Sequence, residues 1–347
     1  MSATPGLTQL TRFSGCGAKL GPGVLDQALC GLAQPAYPEL LAGFGGAEDA
    51  GLYRLGPDLA LVQTVDFFPP IVDEPRLFGR IAAANALSDL YAMGARPVTA
   101  LALACHPLRQ LGLEPLKEML AGGLEALVEA GCALLGGHTI EDPEPKLGYA
   151  VTGLVDPARA WRNNTLAPGA ALVLTKPIGT GLVNMAFRAR CAAPEALAAA
   201  QASMAALNRT AAEVLARFPV LACTDVTGFG LAGHAAEMVA GAPCGLRLRY
   251  RDVPLLPGAG QYAAMGLVPE GARRNQAGRL QVVRNRAELS PVVLDVLFDP
   301  QTSGGLLAAL PVPAAREALA ALAEAGVPAA LVGETGEPAG TIAVIMD

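Results

Sequence analysis

Apolar segments of strand length alternate with helical ones through the first half of the chain. ALVQTVD (residues 60–66) reads as a buried strand, and residues 77–93 as a helix stopped by Gly94 and Pro97. Residues 98–104 read as a second strand, 113–130 as an amphipathic helix and 148–155 as a further strand. This alternation restricts the chain to an α/β or α+β architecture with a layered core. The polar stretch RNNTLAPG (residues 162–169) marks a domain boundary. Beyond it come a strand at 171–175, a long Ala-rich helix at 195–218 and a strand at 220–224, then a Gly-rich turn and a helix from about Leu231. From Asp299 the pattern is a Gly turn, a strand, a helix at 314–325 and a last strand at 342–345. The expected division is a flexible segment (1–45, irregular apart from a short helical pattern at 24–33), a first domain (46–157) and a second (158–347).

Hydrophobic residues make up 52% of the 347 and charged residues 16%, which excludes a disordered chain. The longest charge-free run, 253–269, is broken by Pro257, Gly258 and Gly260, so no membrane span is expected. The N-terminus lacks the basic and apolar regions of a signal peptide, which points to a cytoplasmic protein. A net charge of −6 argues against nucleic acid as the main partner. Seven cysteines, widely spaced and without a CxxC pair, read as free thiols, with Cys105, Cys132 and Cys223 as small core residues.

The acids carry more information. Asp66 ends an apolar strand, Asp89 lies inside the apolar helix NALSDLYAMG, and Asp225 ends a strand before VTGFG. Asp49 follows Gly45-Gly46-Ala47-Glu48. A bare carboxylate in such surroundings is costly and needs a cation, a metal or several donors. Asn85 and Asp89, four apart, share a helix face. Each Asp alone could be a cap or turn residue, but all four together suit a Mg²⁺–nucleotide site built from oxygen ligands. Gly136-Gly137-His138-Thr139, the run TGFGLAGH (residues 227–234) and Thr302-Ser303-Gly304-Gly305 read as glycine turns beside strands, able to hold phosphate or simply to turn. There is no GxxxxGK[ST] sequence, so the chain is not a P-loop enzyme, and the lone GFGLAG match to a dinucleotide fingerprint lacks its context. His106, His138 and His234 are too scattered for a zinc site. In Ser14-Gly15-Cys16-Gly17-Ala18-Lys19 a nearby ammonium would lower the thiol pKa, although these six residues alone read as an exposed arm.

Taken in order, SGCGAKL, TVDFFPPIVDEPRLFGRIAAANALSDLYAMGARP, GGHTIEDPEPKLGYAVTG, TDVTGFGLAGH and DPQTSGGLL resemble the selenophosphate synthetase (selenide, water dikinase) family, from Leu7 to the C-terminus. That family belongs to an AIR-synthetase-like superfamily that binds ATP without a P-loop. The resemblance implies a two-domain fold, an N-terminal α/β dimerisation domain plus a C-terminal α+β domain, and ATP-dependent phosphorylation of selenide to selenophosphate, AMP and phosphate. By the same resemblance Cys16 and Lys19 are catalytic, and Asp49, Asp89 and Asp225 hold more than one Mg²⁺. Lys19, Gly46, Ala47, Glu48, Asp66, Asp89, Gly137, His138 and Thr139 contact ATP, the GGHT loop reaching across a homodimer. A selenium-donor protein is a candidate further partner. Ala18 stands where some members carry a second Cys, and Glu48 where some carry Asp. Competing readings are another ATP-using superfamily member, which the Cys16–Lys19 arm disfavours, and a selenium carrier, which leaves the aspartates unexplained.

Overall fold

The computed structural model describes residues 5–20, 22–45 and 48–346. Two six-stranded sheets carry the chain. The first contains β1 (Leu40–Ala42), β2 (Gly51–Gly56), β3 (Leu59–Phe68), β4 (Arg96–His106), β5 (Ala133–Glu141) and β6 (Lys146–Val155), in the order β1-β2-β3-β6-β4-β5. Only the β4–β5 pair is parallel. The helices of this half of the chain are α1 (Pro22–Leu29), which packs on a helix of the second half, α2 (Pro75–Ala92), the single turn α3 (Leu108–Leu111) and α4 (Glu114–Ala130).

Helix α2 starts where Glu74 accepts hydrogen bonds from the Arg76 and Leu77 amides, with Pro75 in the first turn. It stops before Gly94, whose φ of 67° is open to glycine. Apolar nearly all round, α2 is buried between the sheet and α4. The two helices approach closely because Gly79 faces the Met119 carbonyl and Gly122 the Arg76 carbonyl, leaving no room for a β-carbon. The opposite face of the sheet carries no helix from this set. Val65, Phe67, Leu101 and Ile140 stand on it, each about half exposed.

The second sheet contains β7 (Ala170–Leu174), β8 (Ala222–Asp225), β9 (Gly245–Arg249), β10 (Leu306–Pro311), β11 (Ala330–Glu337) and β12 (Ile342–Ile345), in the order β12-β9-β11-β7-β10-β8. Around it lie α5 (Thr180–Arg188), α6 (Pro194–Ala205), α7 (Arg209–Leu215), α8 (Gly230–Val239), α9 (Ala259–Ala264), α10 (Glu270–Arg279), α11 (Pro291–Leu297) and α12 (Val312–Glu324). No helix among the described residues is long and apolar enough to cross a membrane.

Two expectations are corrected. The Ala-rich helix at 195–218 is two helices, α6 and α7. At the break, Lys176 Nζ donates to the Ala206 carbonyl (2.7 Å), and Asn208 Nδ2 donates to Ser88 Oγ (2.8 Å) and the Gly304 carbonyl (2.7 Å). These contacts satisfy buried polar groups, which outweighs helix propensity. The GGHT segment is not a turn but lies within β5, paired with β4. Cys105 is half-buried, whereas Cys132 and Cys223 are buried.

The N-terminal arm is tied down on both sides. Asp73 accepts from the Thr8 amide and hydroxyl (2.8 and 2.7 Å). Arg188 of α5 donates to Ser14 Oγ (2.7 Å) and the Thr11 carbonyl (3.2 Å).

Candidate active site

Helix α2 organises the site. Asn85, Ser88 and Asp89 occupy one face at i, i+3 and i+4 spacing, pointing away from α4 and toward the second sheet. Asn85 Oδ1 accepts from Cys16 Sγ (3.2 Å) and the Ser303 amide (2.8 Å), while its Nδ2 donates to Asp66 Oδ2 (2.6 Å). One side chain thus links the arm, strand β3 and the turn before β10.

The three expected metal ligands converge. Asp49 precedes β2, Asp89 comes from α2 and Asp225 ends β8, and one carboxylate oxygen from each lies within 4.8 Å of the others. Thr224 donates to Asp49 Oδ1 (2.7 Å) and Thr64 to Asp89 Oδ2 (2.6 Å). Asp49 Oδ2 and Asp225 Oδ2 are buried with no hydrogen-bond partner. Burial first, and repulsion from Asp225 second, push Asp49 and Asp89 well above the usual carboxylate range. Burial likewise raises Asp225, against the pull of His234 and the Ser88 hydroxyl. Orphaned oxygens and mutually repelling carboxylates need cations, and an all-carboxylate donor set fits a hard divalent ion such as Mg²⁺.

Beside this cluster, Lys19 Nζ lies 3.1 Å from Asp66 Oδ1. Partial burial acts to lower the Lys19 pKa, but Asp66, with Cys16 and Asp89 behind it, raises it. Cys16 corrects the expectation drawn from the arm alone. It is completely buried, its amide donates to Thr302 Oγ1 (3.1 Å), and burial pushes the thiol up to about 12 despite Lys19. In this conformation Cys16 is a thiol, not a thiolate.

The aspartates, Lys19 and Glu48 line one cleft of ≈ 620 Å³, with Thr227, His234 and Glu237 on its wall. The Glu48 carboxylate is occupied, accepting from Arg162 Nε (2.7 Å) and the Asn163 amide (3.1 Å). Gly46 and Ala47 lie outside the described residues. Gly137, His138 and Thr139 stand on the edge strand β5 and are not among the residues lining this cleft. Sequence reasoning missed Ser88 and Thr64, and read Thr302 only as part of a glycine turn, not as the partner of Cys16. The signal for Ser88 was a second polar residue on the Asn85–Asp89 face of an apolar helix.

Two family models cover the chain: AIR synthase related protein, N-terminal domain, over residues 47–155, and its C-terminal domain over 167–345. A selenide, water dikinase from Pelobacter propionicus is 50% identical over 332 residues, 95% of each chain. One from Geobacter sp. strain M21 is 49% identical over 96% of each. The chain belongs to the selenide, water dikinase family. The fold reaches further: thiamine-monophosphate kinase from Stenotrophomonas maltophilia superposes with TM-score 0.64 at 19% identity, covering 88% of this chain and 91% of its own. Hydrogenase maturation protein HypE in complex with ATP gives 0.61 at 20%, covering 89% and 86%. Those two likenesses speak for the fold, whereas membership of the dikinase family rests on sequence along almost the whole chain.

Proposed function

We propose that this chain catalyses the selenide, water dikinase reaction: ATP, selenide and water give selenophosphate, phosphate and AMP. The observation that carries the reading is the convergence of Asp49, Asp89 and Asp225 beside the Lys19–Cys16 arm in one cleft. Asp49, Asp89 and Asp225 would hold Mg²⁺, more than one ion, which when bound neutralises the charge of the nucleotide's phosphates. Asp66 holds the Lys19 ammonium at the cleft wall, where it is placed to offset negative charge gathering on a transferring phosphoryl group. Cys16, on the same arm, is buried against Asn85 and Thr302 beside the cleft, and the arm is fastened by Asp73 and Arg188. The segment 46–48 contributes to nucleotide contact in this reading. Phosphoryl transfer asks chiefly for positioning and charge neutralisation, and these residues supply both.

The dimer belongs to the same proposal. The outward face of the first sheet, from Tyr53 through Val65, Phe67 and Leu101 to Ile140, is largely apolar, with Gln63, Thr152 and His138 interspersed and Arg96 and Lys146 at its ends. A face without charge at its centre can pair with its own copy about a two-fold axis without bringing like charges together there. Edge strand β5 would then present Gly137, His138 and Thr139 to the partner. The test is anaerobic turnover with Mg²⁺ followed by phosphorus NMR. Selenophosphate and AMP in equal amounts are expected, and AMP formed without selenophosphate would sink the reading.

A further inference from the structure

The turn that carries Cys16 has little of its own to hold it. Gly15–Ala18 is a single 3₁₀ turn whose residues, Cys16 apart, are glycine or alanine. Without large side chains to pack, such a turn is fixed through its backbone, and its last carbonyls need donors from elsewhere. Lys19 follows directly, on a long stem with many rotamers to lose. The place of its ammonium is therefore set from outside the arm.

Two adjacent residues of α10 stand where this is done. Arg274 Nη2 donates to the Gly17 carbonyl (2.7 Å) and lies 3.5 Å from the Lys19 carbonyl, so it holds the backbone on both sides of Ala18. Its Nη1 donates to Glu270 Oε1 (3.0 Å), and its guanidinium lies over the Phe13 ring, 5.1 Å from the centroid. Asn275 is buried and donates to the Gly228 carbonyl (2.9 Å) and the Phe298 carbonyl (3.1 Å). Gly228 is the surface on which the Lys19 stem rests. A β-carbon there would stand 3.0 Å from Lys19 Cδ and 3.0 Å from the Cys16 carbonyl oxygen. One helix thus fixes the turn through Arg274 and the surface under the lysine stem through Asn275. From that seat Lys19 Nζ reaches Asp66 Oδ1 (3.1 Å). The ion pair of Arg274 with Glu270, on the helix surface, contributes little by itself. Bridging two carbonyls is what a planar guanidinium does and a lysine does not.

We propose that Arg274 is a positioning residue for Lys19, holding the arm so that the ammonium is presented to the nucleotide's phosphates. The inference rests on the dikinase reading above, which gives Lys19 that role. Arg274 touches no reacting atom. It acts through the Gly17 and Lys19 carbonyls.

Two measurements test this. The first is a double-mutant cycle in the affinity for an ATP analogue with Mg²⁺, read by calorimetry. Arg274→Ala should weaken binding about threefold to tenfold in the parent, yet by less than about twofold in Lys19→Ala, because a residue acting through Lys19 has nothing left to position. Arg274→Lys should recover part of the loss. The second measurement is iodoacetamide labelling of the metal-free protein, with sites located by peptide mass. Cys16 is completely buried and Cys191 exposed, so the parent should label slowly at Cys16 relative to Cys191. Arg274→Ala should raise the Cys16 rate about tenfold and leave the Cys191 rate alone. Equal losses of affinity in the two backgrounds would overturn the inference, and so would unchanged labelling of Cys16. A parent that does not bind the analogue, or a Lys19→Ala protein that binds it as the parent does, would remove the role given to Lys19, and this inference would go with it. If Arg274→Ala does not fold, Arg274→Lys decides in the same cycle. A loss confined to the background that keeps Lys19 supports the assignment, and no loss or an equal loss in both overturns it.

Discussion

Asp49 and Asp225 each bury an oxygen without a donor, so removing the charge should have opposite effects on turnover and on metal-free stability. Asp49→Asn is expected to abolish ATP turnover, because it deletes the charge of a proposed metal ligand at nearly constant volume. The sign of its stability effect follows from linkage. Burial and neighbouring carboxylates raise the folded-state pKa above the ordinary 3.8, so the folded protein holds protons that the unfolded chain has lost. That contribution is complete below 3.8 and is lost as pH rises toward the folded value. Metal-free parent should therefore lose more stability than Asp49→Asn as pH rises above 3.8. Mg²⁺ should protect the parent more strongly. Thermal melts with and without Mg²⁺ check this, and equal pH slopes in the two proteins would remove Asp49 from the coupled cluster.

At the same scale, Cys16 and Lys19 should separate. Cys16→Ser keeps the small buried shape and is expected to bind an ATP analogue as the parent does while losing selenophosphate formation. Lys19→Ala removes the cation that the proposed reading sets against the phosphates. Its side chain is 38% exposed, so the loss should sit near the lower end of the ~1.5–3 kcal/mol typical of a charge-assisted contact, about tenfold in analogue affinity. Calorimetry compares the two. Equal affinities in both variants would place Lys19 away from the nucleotide.

Helix α2 divides stability from chemistry between its two faces. Gly122→Ala would drive a β-carbon into the Arg76 carbonyl and force α2 and α4 apart. Overpacking of this kind costs about 1–3 kcal/mol. Because no α4 residue lines the cleft, the folded variant should keep parental turnover at a lower melting temperature. Asn85→Ala works on the other face. It strips Asp66 of a donor and leaves the Ser303 amide unpaired, so activity should fall together with stability. A Gly122→Ala enzyme that melts like the parent would mean the helices can separate without cost. The contrast also shows what was legible in the sequence. Strand β3, helix α2 and the converging aspartates could be read because acids in apolar runs demand an explanation that local structure does not supply. The burial of Cys16 could not, since a glycine-rich arm has no periodicity and its cover, Thr302 and Asn85, comes from distant segments. The break between α6 and α7 was equally hidden, because Lys176 and Asn208 act there through tertiary contacts. In β5, two glycines imitate a turn while pairing with β4 makes a strand.

At the scale of the whole molecule, the first sheet is covered by α2 and α4 on one side and bare on the other. Contiguous exposed apolar surface of this kind marks an interface. The partner proposed above is a second copy, because that face is uncharged at its centre and can meet itself without repulsion. Phe67 stands mid-face, 53% exposed, with its backbone paired to Gly148. A charge there would be desolvated twice in a two-fold interface, once from each copy, and would face its own image. Phe67→Glu should therefore give monomers at concentrations where the parent sediments as a dimer. Its own fold should survive, since the side chain points away from the α2 side that buries Asp66 and Phe68. Turnover should fall with dimerisation if Gly137, His138 and Thr139 complete the partner's cleft. Sedimentation velocity paired with ATP turnover across a dilution series reads both quantities on one sample. A Phe67→Glu protein that remains dimeric would place the interface elsewhere. A monomer with full activity would show that each cleft is complete within its own chain.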